Sequence, residues 1–395
     1  MLNYANYLIK KIAKKRSNYI ILAVCMIIIT LFVMTNMELQ DKFKENIESK
    51  IKQNQQDIKY YQKLLSAREE DVNDEIYITF KSAIDNALED KASNELLINY
   101  FNQKNWDKVY ETYEKILEKE EKKLSNLHAP DDAGIETVLN NNNKEQFYIK
   151  YLNQHHLDYE DMDSPIFGFT FLTHLSQMIL PVIITVCCIY LLVQVFLTDD
   201  LKQFNISSLL PLGKNKVFFT RLFVGLGITL FTYVLLSFFT FLIATIVNSN
   251  SGLEYPVMIQ KSGSETWYAV KSTTIFKNWF ILGFLFFTNV CLFICVLSLL
   301  IKEDGALFLV GVCVILGFAY LPNLVSSLAR NAHLYPTTFL NYVGVVSNSI
   351  SNKYQNIKIS LNTGFTVLSI SMSIQLMICF LINNVKNLHK EIKLR

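Results

Sequence analysis

The residues of this chain that could do chemistry stand at spacings that do not support a catalytic or metal site. His155 and His156 are adjacent, but neither an HExxH nor a CxxC motif accompanies them. Cys291 and Cys295 are one helical turn apart inside an apolar run, where buried core residues are a better interpretation than metal ligands. We therefore expect no catalytic residue, no metal and no cofactor bound by this chain.

Gly213-Lys214 invites a phosphate-loop interpretation, which its surroundings do not support. In such a loop, Ser or Thr follows the lysine, and an earlier glycine opens the loop. Here Asn215 follows Lys214, and Ser208 stands where the earlier glycine is needed. The sequence thus predicts no ATPase activity in this chain.

The elements that carry these residues are strongly apolar. Hydrophobic residues make up 51% of the 395 residues and charged residues only 18%, which excludes an ordinary water-soluble protein as the first hypothesis. Six runs approach the roughly 20 apolar residues needed to cross the hydrocarbon layer of a bilayer. They are 18–37, 172–197, 222–247, 279–301, 306–328 and 364–382. We predict an all-α polytopic membrane protein with six transmembrane helices.

Charge is distributed unevenly, although the formal net charge is only +2. Residues 38–163 contain 28 acidic and 17 basic residues, a balance of −11, so the rest of the chain carries +13. Apolar residues recur in this segment at helical spacing, and it has no cysteine that could form a disulfide. We predict a mainly helical domain at 38–170, inserted between transmembrane helices 1 and 2.

An aromatic stripe lies within this predicted domain. Trp106, Tyr110, Tyr113 and Leu117 fall on one helical face, and acidic residues solvate the other. The core of a small domain is a better interpretation of this stripe than a ligand-binding box. The acidic surface either attracts cationic peptides by long-range electrostatics or simply keeps the domain soluble, and the sequence leaves both open.

The N-terminus has the positive charge of a signal peptide but not its other features. Its apolar run is too long and ends without a small-x-small cleavage site, so we expect an uncleaved transmembrane helix at 18–37. Residues 1–17 are expected to form an amphipathic cytoplasmic elbow helix in the inner interface, a frayed basic tail being the alternative. The apolar face of the elbow would comprise Leu2, Ala5, Ile9, Ile12 and Ala13.

The orientation follows from basic residues in short loops, which favour the cytoplasm. Residues 1–17, 198–221 and the C-terminal tail are rich in Lys and Arg. Both termini are therefore expected in the cytoplasm, with 38–170 extracellular, helices 2–6 within 171–386 and a cytoplasmic tail at 387–395. The compartment would be the cell (plasma) membrane.

Polar residues inside the predicted spans are few. A proton or ion relay needs buried ionisable side chains, and the spans have essentially none, which argues against an ion-coupled transporter. Arg221 and His174 stand at span ends and are expected to reach the interface. Gln177, Gln194 and Asn289 either face a translocation path or join helices by hydrogen bonds, which is the better default.

Residues 198–214 contain apolar side chains in a predicted cytoplasmic turn. The apolar residues precede and follow Pro211, and Gly213 ends the run; they are Phe204, Ile206, Leu209, Leu210 and Leu212. We expect these residues to form a short apolar helix. Apolar side chains that are exposed to the cytoplasm need a partner surface, unless the helix lies against lipid.

At these residues the chain resembles the permeases of ABC-type exporters of the type-2 class (type V fold). Asp199 and Asp200 match the acidic residues of the family, and Ser208 to Lys214 match its coupling helix and turn. Gln203-Phe204 replaces the usual glycine-threonine pair. A second match is Leu334 to Tyr342, which resembles the proline-containing outer segment before the last helix of the family.

The resemblance implies a coupling helix at 199–214 that docks on a cytoplasmic ABC ATPase subunit. The ATPase-coupling residues would be Asp199, Asp200, Phe204, Ile206, Ser208, Leu209, Leu210, Pro211, Leu212, Gly213 and Lys214. Two ATPase copies, with ATP and Mg, would serve two permeases, either a homodimer or a pair with a sister permease. The large insertion resembles a Gram-positive subgroup associated with peptide export or bacteriocin self-protection. Membrane lipid is a further expected partner, and nucleic acid is not.

Two other functions remain open on the sequence. The chain could be a membrane-anchored sensor or immunity protein whose outer domain captures a peptide, or a scaffold for membrane or cell-wall assembly. A neighbouring ATPase gene would favour the exporter, and a neighbouring histidine kinase alone would favour the sensor.

Overall fold

The computed structural model describes residues 2–40, 42–66, 75–126, 133–197, 213–264 and 266–393. Most of them are helical, and five helices are long and apolar enough to cross a membrane. A bent pair of shorter helices raises the possible number of spans to six. The predicted all-α architecture of a multi-pass membrane protein agrees with this arrangement.

The chain begins with three consecutive helices, α1 (Leu2–Lys14), α2 (Arg16–Gln40) and α3 (Lys42–Ser66). The apolar part of α2 leads into the charged α3, so the first helical region continues beyond the apolar span. Tyr4 and Leu8 of α1 are buried against the bundle. Of the predicted apolar face of the elbow, Ala5 and Ile12 pack against the same core, whereas Leu2 and Ile9 are 81% and 51% exposed. The position of this face in the membrane interface stays a prediction.

The charged domain is built from α3, α4 (Glu75–Asn102), α5 (Trp106–Asn126) and α6 (Ala133–Gln154), each packed against the next. Tyr110, Tyr113 and Leu117 are buried in its core, and Trp106 packs against that core. The interpretation of the aromatic stripe as core is thus confirmed. The Phe43 ring from α3 meets the Tyr113 ring edge-on at 5.1 Å between centroids, which joins the start of α3 to α5.

A β-hairpin completes this domain and was not predicted. Strands β1 (Pro256–Gln260) and β2 (Trp267–Lys271) are antiparallel, with Val257 opposite Val270. The hairpin packs on α6, and Met258 and the preceding Tyr255 join the domain core. The domain therefore extends beyond 38–170 and includes part of the connection between two spans.

The predicted uninterrupted span at 172–197 is two helices, α7 (Gly168–Met178) and α8 (Leu180–Phe196), bent by 71°. Pro181 lies in the first turn of α8 and has no N–H to donate to the carbonyl of Gln177, so the helix breaks there. Gly168 allows the outer half to approach α9 (Lys214–Asn248), because a Cβ at this position would collide with Thr245 Oγ1.

Helix α10 (Ser272–Leu300) lies at the centre of the membrane bundle and packs against α8, α9, α11 (Asp304–Tyr320) and α15 (Leu361–Lys393). Its Trp279, Leu282 and Phe287 are fully buried. The predicted span at 306–328 ends earlier, because α11 stops at Tyr320 and a 3₁₀ turn containing Pro322 follows.

The connection between α11 and α15 folds back onto the bundle. It comprises the short helices α12 (Ser326–Asn331), α13 (Tyr342–Val346) and α14 (Ser349–Lys353), together with the 3₁₀ turns Ala332–Leu334 and Pro336–Leu340. Phe339 and Tyr342 are fully buried in it, and the Tyr342 ring stacks on Trp279 of α10 at 5.8 Å between centroids. The second half of the matched segment Leu334 to Tyr342 is therefore part of the bundle core, whereas Leu334 is exposed.

Candidate functional site

Most of the predicted ATPase-coupling residues, namely Asp199, Asp200, Phe204, Ile206, Ser208, Leu209, Leu210, Pro211 and Leu212, lie outside the described residues. The structure describes the two ends of their segment. Leu197 is buried after the last turn of α8, and Gly213 is the exposed residue that precedes α9. Lys214 is the first residue of α9. A partner that binds residues 198–212 would therefore act first on α8 and α9, the helices at the two ends of this segment.

Arg221 fixes both ends of the segment to the elbow helix. Its Nε donates to the Tyr4 hydroxyl at 2.9 Å, and its Nη1 donates to the Phe196 carbonyl at 3.3 Å. Arg221 is half-buried, and its reach to the membrane interface stays a prediction. Hydrogen bonds from a charged donor are stronger than neutral ones, so α1, α8 and α9 are joined at one point.

A second contact joins the same end of the bundle. Gln194 Nε2 of α8 donates to Asn18 Oδ1 of α2 at 2.7 Å, and Asn18 Nδ2 donates to the Ile12 carbonyl of α1 at 2.7 Å. Both amide side chains are buried, where a polar group without a partner is costly. Gln194 therefore has the geometry that the helix-joining interpretation predicts.

We name the five residues Tyr4, Asn18, Gln194, Phe196 and Arg221 the elbow clamp. Sequence reasoning selected only Gln194 as a candidate site residue. Asn18 carried a weak signal, as an amide at the start of an apolar run, and Tyr4 carried none, because its partner is 217 residues away.

Asn289 lies deeper in the bundle and also joins helices. Its Nδ2 donates to the Leu368 carbonyl of α15 at 3.4 Å, and its Oδ1 accepts from Gln375 Nε2 at 3.2 Å. A cavity of about 170 Å³ adjoins this pair. Gln375 Oε1 and Thr337 Oγ1 line it without a hydrogen-bond partner among the described residues. The cavity thus has a few polar atoms within an otherwise apolar lining.

Gln177 stands at the bend, near the end of α7. It lines two neighbouring cavities of about 200 Å³ and 450 Å³, which also share Ser349. The smaller cavity extends towards the helical domain, and the larger one towards the connection after α11. Of the three predicted path residues, Gln177 is therefore the one beside the larger spaces in the described part of the chain.

Charged side chains in the described spans stand near helix ends. Arg221, Lys277 and Asp304 lie near the starts of α9, α10 and α11. The described residues also contain no group of three His, Cys, Asp or Glu side chains that could hold a metal ion. The middle of the bundle thus offers apolar walls and neutral amides.

Comparisons with models of protein families, with curated proteins and with solved structures find no match to this chain.

Proposed function

We propose that this chain is the membrane subunit of an ATP-driven ABC exporter. The observation that carries the proposal is the elbow clamp, because it fastens α1, α2, α8 and α9 around the two ends of residues 198–212. A partner that pulls on this segment would move four helices together. An isolated membrane anchor has no need of such a connection.

The complex would contain two permeases and two cytoplasmic ATPases. A bundle of six spans is half of the usual two-permease translocator, so a second copy or a sister permease would supply the other half. ATP and Mg would bind in the ATPase, and docking would use residues 199–214. Membrane lipid would surround the apolar outer faces of α2 and α15, where Ile27 and Met377 are exposed.

The cargo would be a peptide or another amphipathic molecule leaving the cell. The bundle supports this choice because its described middle presents apolar walls with a few amides and no fixed charge. In the proposed orientation, both termini are cytoplasmic and residues 38–170 face outside, with the hairpin beside them.

Co-purification tests the proposal. The full-length chain, expressed at its native level and isolated in detergent, should retain an ATP-binding subunit. Leu209→Glu should reduce the recovered subunit about tenfold, because a charge in a docking groove removes most of the local binding energy. Leu209→Met keeps the apolar side chain and should retain the subunit. Leu324→Glu places the same charge on an exposed site after α11 and should also retain it.

Isolation of an intact, folded chain without any ATPase would contradict the exporter. Equal loss of the subunit in Leu209→Glu and Leu324→Glu would also contradict docking at 199–214, because it would mean that the charge acts on the fold in general.

A peptide sensor or immunity protein is the second candidate, and one observation favours it. A groove of about 550 Å³ lies between α3, α4 and α5 of the helical domain. Several of its charges are paired, with Lys50 Nζ 2.7 Å from Glu120 Oε1 and Lys123 Nζ 2.6 Å from Asp90 Oδ2. A sensor would bind its peptide in this groove and need no ATPase, so the same co-purification separates the two functions.

A further inference from the structure

A crevice of about 200 Å³ lies where the helical domain meets the membrane bundle. Its walls come from α6, the segment before α7, α7 itself, the hairpin and the residues before α14. We name it the junction crevice and define it by Lys144, Glu160, Asp163, His174 and Trp267. Gln177 of the predicted cargo path also lines the crevice, but none of the five defining residues belongs to that path or to the coupling segment.

Glu160 is the most unusual group in the junction crevice, because its side chain is fully buried. Its Oε1 accepts three hydrogen bonds, from Ile166 N at 2.8 Å, Phe167 N at 2.7 Å and Thr170 Oγ1 at 2.8 Å. Its Oε2 has no hydrogen-bond partner among the described residues. A buried carboxylate oxygen without a donor is costly, so the crevice favours a ligand that supplies one.

A cation already occupies the other side of the crevice. Lys144 Nζ lies 5.6 Å from the centroid of the Trp267 ring and 3.7 Å from Asp163 Oδ1. The ring is held in place by its Nε1, which donates to Asn140 Oδ1 at 2.5 Å. An aromatic face beside a carboxylate is a favourable environment for an ammonium group.

The charged side chains around the crevice favour a positively charged ligand. The carboxyl groups of Glu160 and Asp163 line it, and Asp161 is adjacent in sequence. The cationic side is limited to Lys144, which is already paired with Asp163, and to His174 of α7. Burial raises the pKa of Glu160 to about 7, so this carboxyl group is ionised in mildly alkaline solution.

We propose that the junction crevice binds a primary alkylammonium group, such as a lysine side chain of a peptide. The ammonium displaces that of Lys144 from Trp267 and Asp163 and donates to Glu160, while the alkyl chain lies against Trp267 and Met258. Lys144 acts as a tethered competitor that fills the site when no ligand is bound. This inference goes beyond the proposed function and does not depend on it.

A ligand in the crevice would affect the membrane helices through the hydrogen bonds of Glu160. Two of the donors to Glu160 Oε1, Ile166 and Phe167, directly precede α7, and the third, Thr170, lies in its first turn. The same segment accepts hydrogen bonds from α2, through Asn36 Nδ2 to the Pro165 carbonyl at 2.8 Å, and from α9, through Asn248 Nδ2 to the Ile166 carbonyl at 2.8 Å. A ligand on Glu160 therefore touches the point at which three helices meet.

The test uses the purified full-length chain in detergent at about pH 8, where Glu160 is ionised. The probe is Nα-acetyl-lysine methylamide, and the control ligand is Nα-acetyl-norleucine methylamide, which has an alkyl side chain without the ammonium. Isothermal titration should give saturable binding of the lysine probe only. Lack of any preference for the lysine probe would overturn the proposal.

Three variants locate the binding. Glu160→Gln keeps an acceptor oxygen for the start of α7 and should weaken binding about tenfold, the effect of losing a charge-assisted hydrogen bond. Lys144→Met removes the competing ammonium at similar length and should strengthen binding several-fold. Glu254→Gln removes an exposed carboxylate that pairs with Lys271 outside the crevice, and should leave binding unchanged.

Wild-type affinity in Glu160→Gln, or weaker binding in Lys144→Met, would overturn the site. Size-exclusion profiles establish whether each variant is folded. If Glu160→Gln does not fold, Lys144→Met decides alone, because only displacement of a competitor predicts a gain in affinity.

Discussion

The helical domain and the membrane bundle satisfy their buried polar groups in different ways. In the domain, tyrosine hydroxyls donate to distant carbonyls: Tyr110 to Leu157 at 2.8 Å, Tyr148 to Glu160 at 3.0 Å and Tyr255 to Asp158 at 3.0 Å. In the bundle, threonine hydroxyls donate to the carbonyl four residues earlier in the same helix, for example Thr229 to Gly225 at 2.9 Å and Thr240 to Leu236 at 2.8 Å.

This difference follows from the two solvents. A helix in lipid must satisfy its polar groups within itself before it meets a neighbour, so hydroxyls bond locally. A domain in water can leave a hydroxyl hydrated until the chain folds and then use it to fix a loop. The bundle also has side-chain hydrogen bonds between helices, among them the elbow clamp, the Asn289–Gln375 pair and Tyr233, whose hydroxyl donates to the Phe280 carbonyl at 3.2 Å.

The largest expected effect tests whether the two regions have separate cores. Leu97 is fully buried in the domain core and Leu307 is fully buried in the bundle core. Leu97→Ala should destabilise the domain by about 4 kcal/mol, through lost burial and the cavity left behind. Hydrogen exchange should then accelerate in α4 to α6 and stay unchanged in α10.

Leu307→Ala is the matched control and should produce the reverse pattern. If Leu97→Ala accelerates exchange in both regions equally, the domain and the bundle form one cooperative unit, and the comparison fails.

The next effect concerns the boundary between the regions. Burial raises the pKa of Glu160 from its ordinary value of 4.5 to about 7. The folded chain therefore binds this proton more tightly than the unfolded chain, so stability falls as pH rises from about 4.5 to 7 and then stays level. Because a tenfold difference in proton affinity corresponds to about 1.4 kcal/mol, Glu160 should lower the free energy of unfolding by about 3 kcal/mol across this range.

Thermal unfolding in detergent between pH 4.5 and 8 measures this dependence. Glu160→Gln does not titrate, so the difference in Tm between wild type and variant should change with pH in the same range. A constant difference would mean that Glu160 stays ionised in the folded protein throughout.

Local patterns in the sequence predicted the helical architecture and the aromatic core, but not the contacts between distant residues. Hydropathy located the spans, because a run of about 20 apolar residues matches the thickness of the hydrocarbon layer. The 71° bend has a visible cause in Pro181, but a proline is equally at home in the first turn of a straight helix, so its presence alone does not predict the bend. The buried side of the elbow could not be predicted, because Tyr4 packs inward through its bond with Arg221, far along the chain.

The candidate sites show the same limit. Gln194 and Asn289 stood out as polar residues in apolar runs, whereas Glu160 is one acidic residue among many and carries no periodic signal. Its burial depends on α7, α6 and the hairpin together, and the hairpin strands are only five residues each. In such short strands, alternation of polar and apolar residues is weakly informative.

The smallest expected effect tests the rule for hydroxyl groups directly. Tyr110→Phe removes a hydrogen bond between distant residues in the domain and leaves the Leu157 carbonyl without this donor, so it should cost about 1 kcal/mol. Thr240→Val removes a hydroxyl bonded within its own helix, and the Leu236 carbonyl keeps its helical partner, so it should cost less than about 0.5 kcal/mol. Both residues are fully buried, which makes the pair comparable. Chemical unfolding of each variant in the same detergent gives the two values, and a larger cost for Thr240→Val would show that the bundle depends on its hydroxyls more than on its apolar packing.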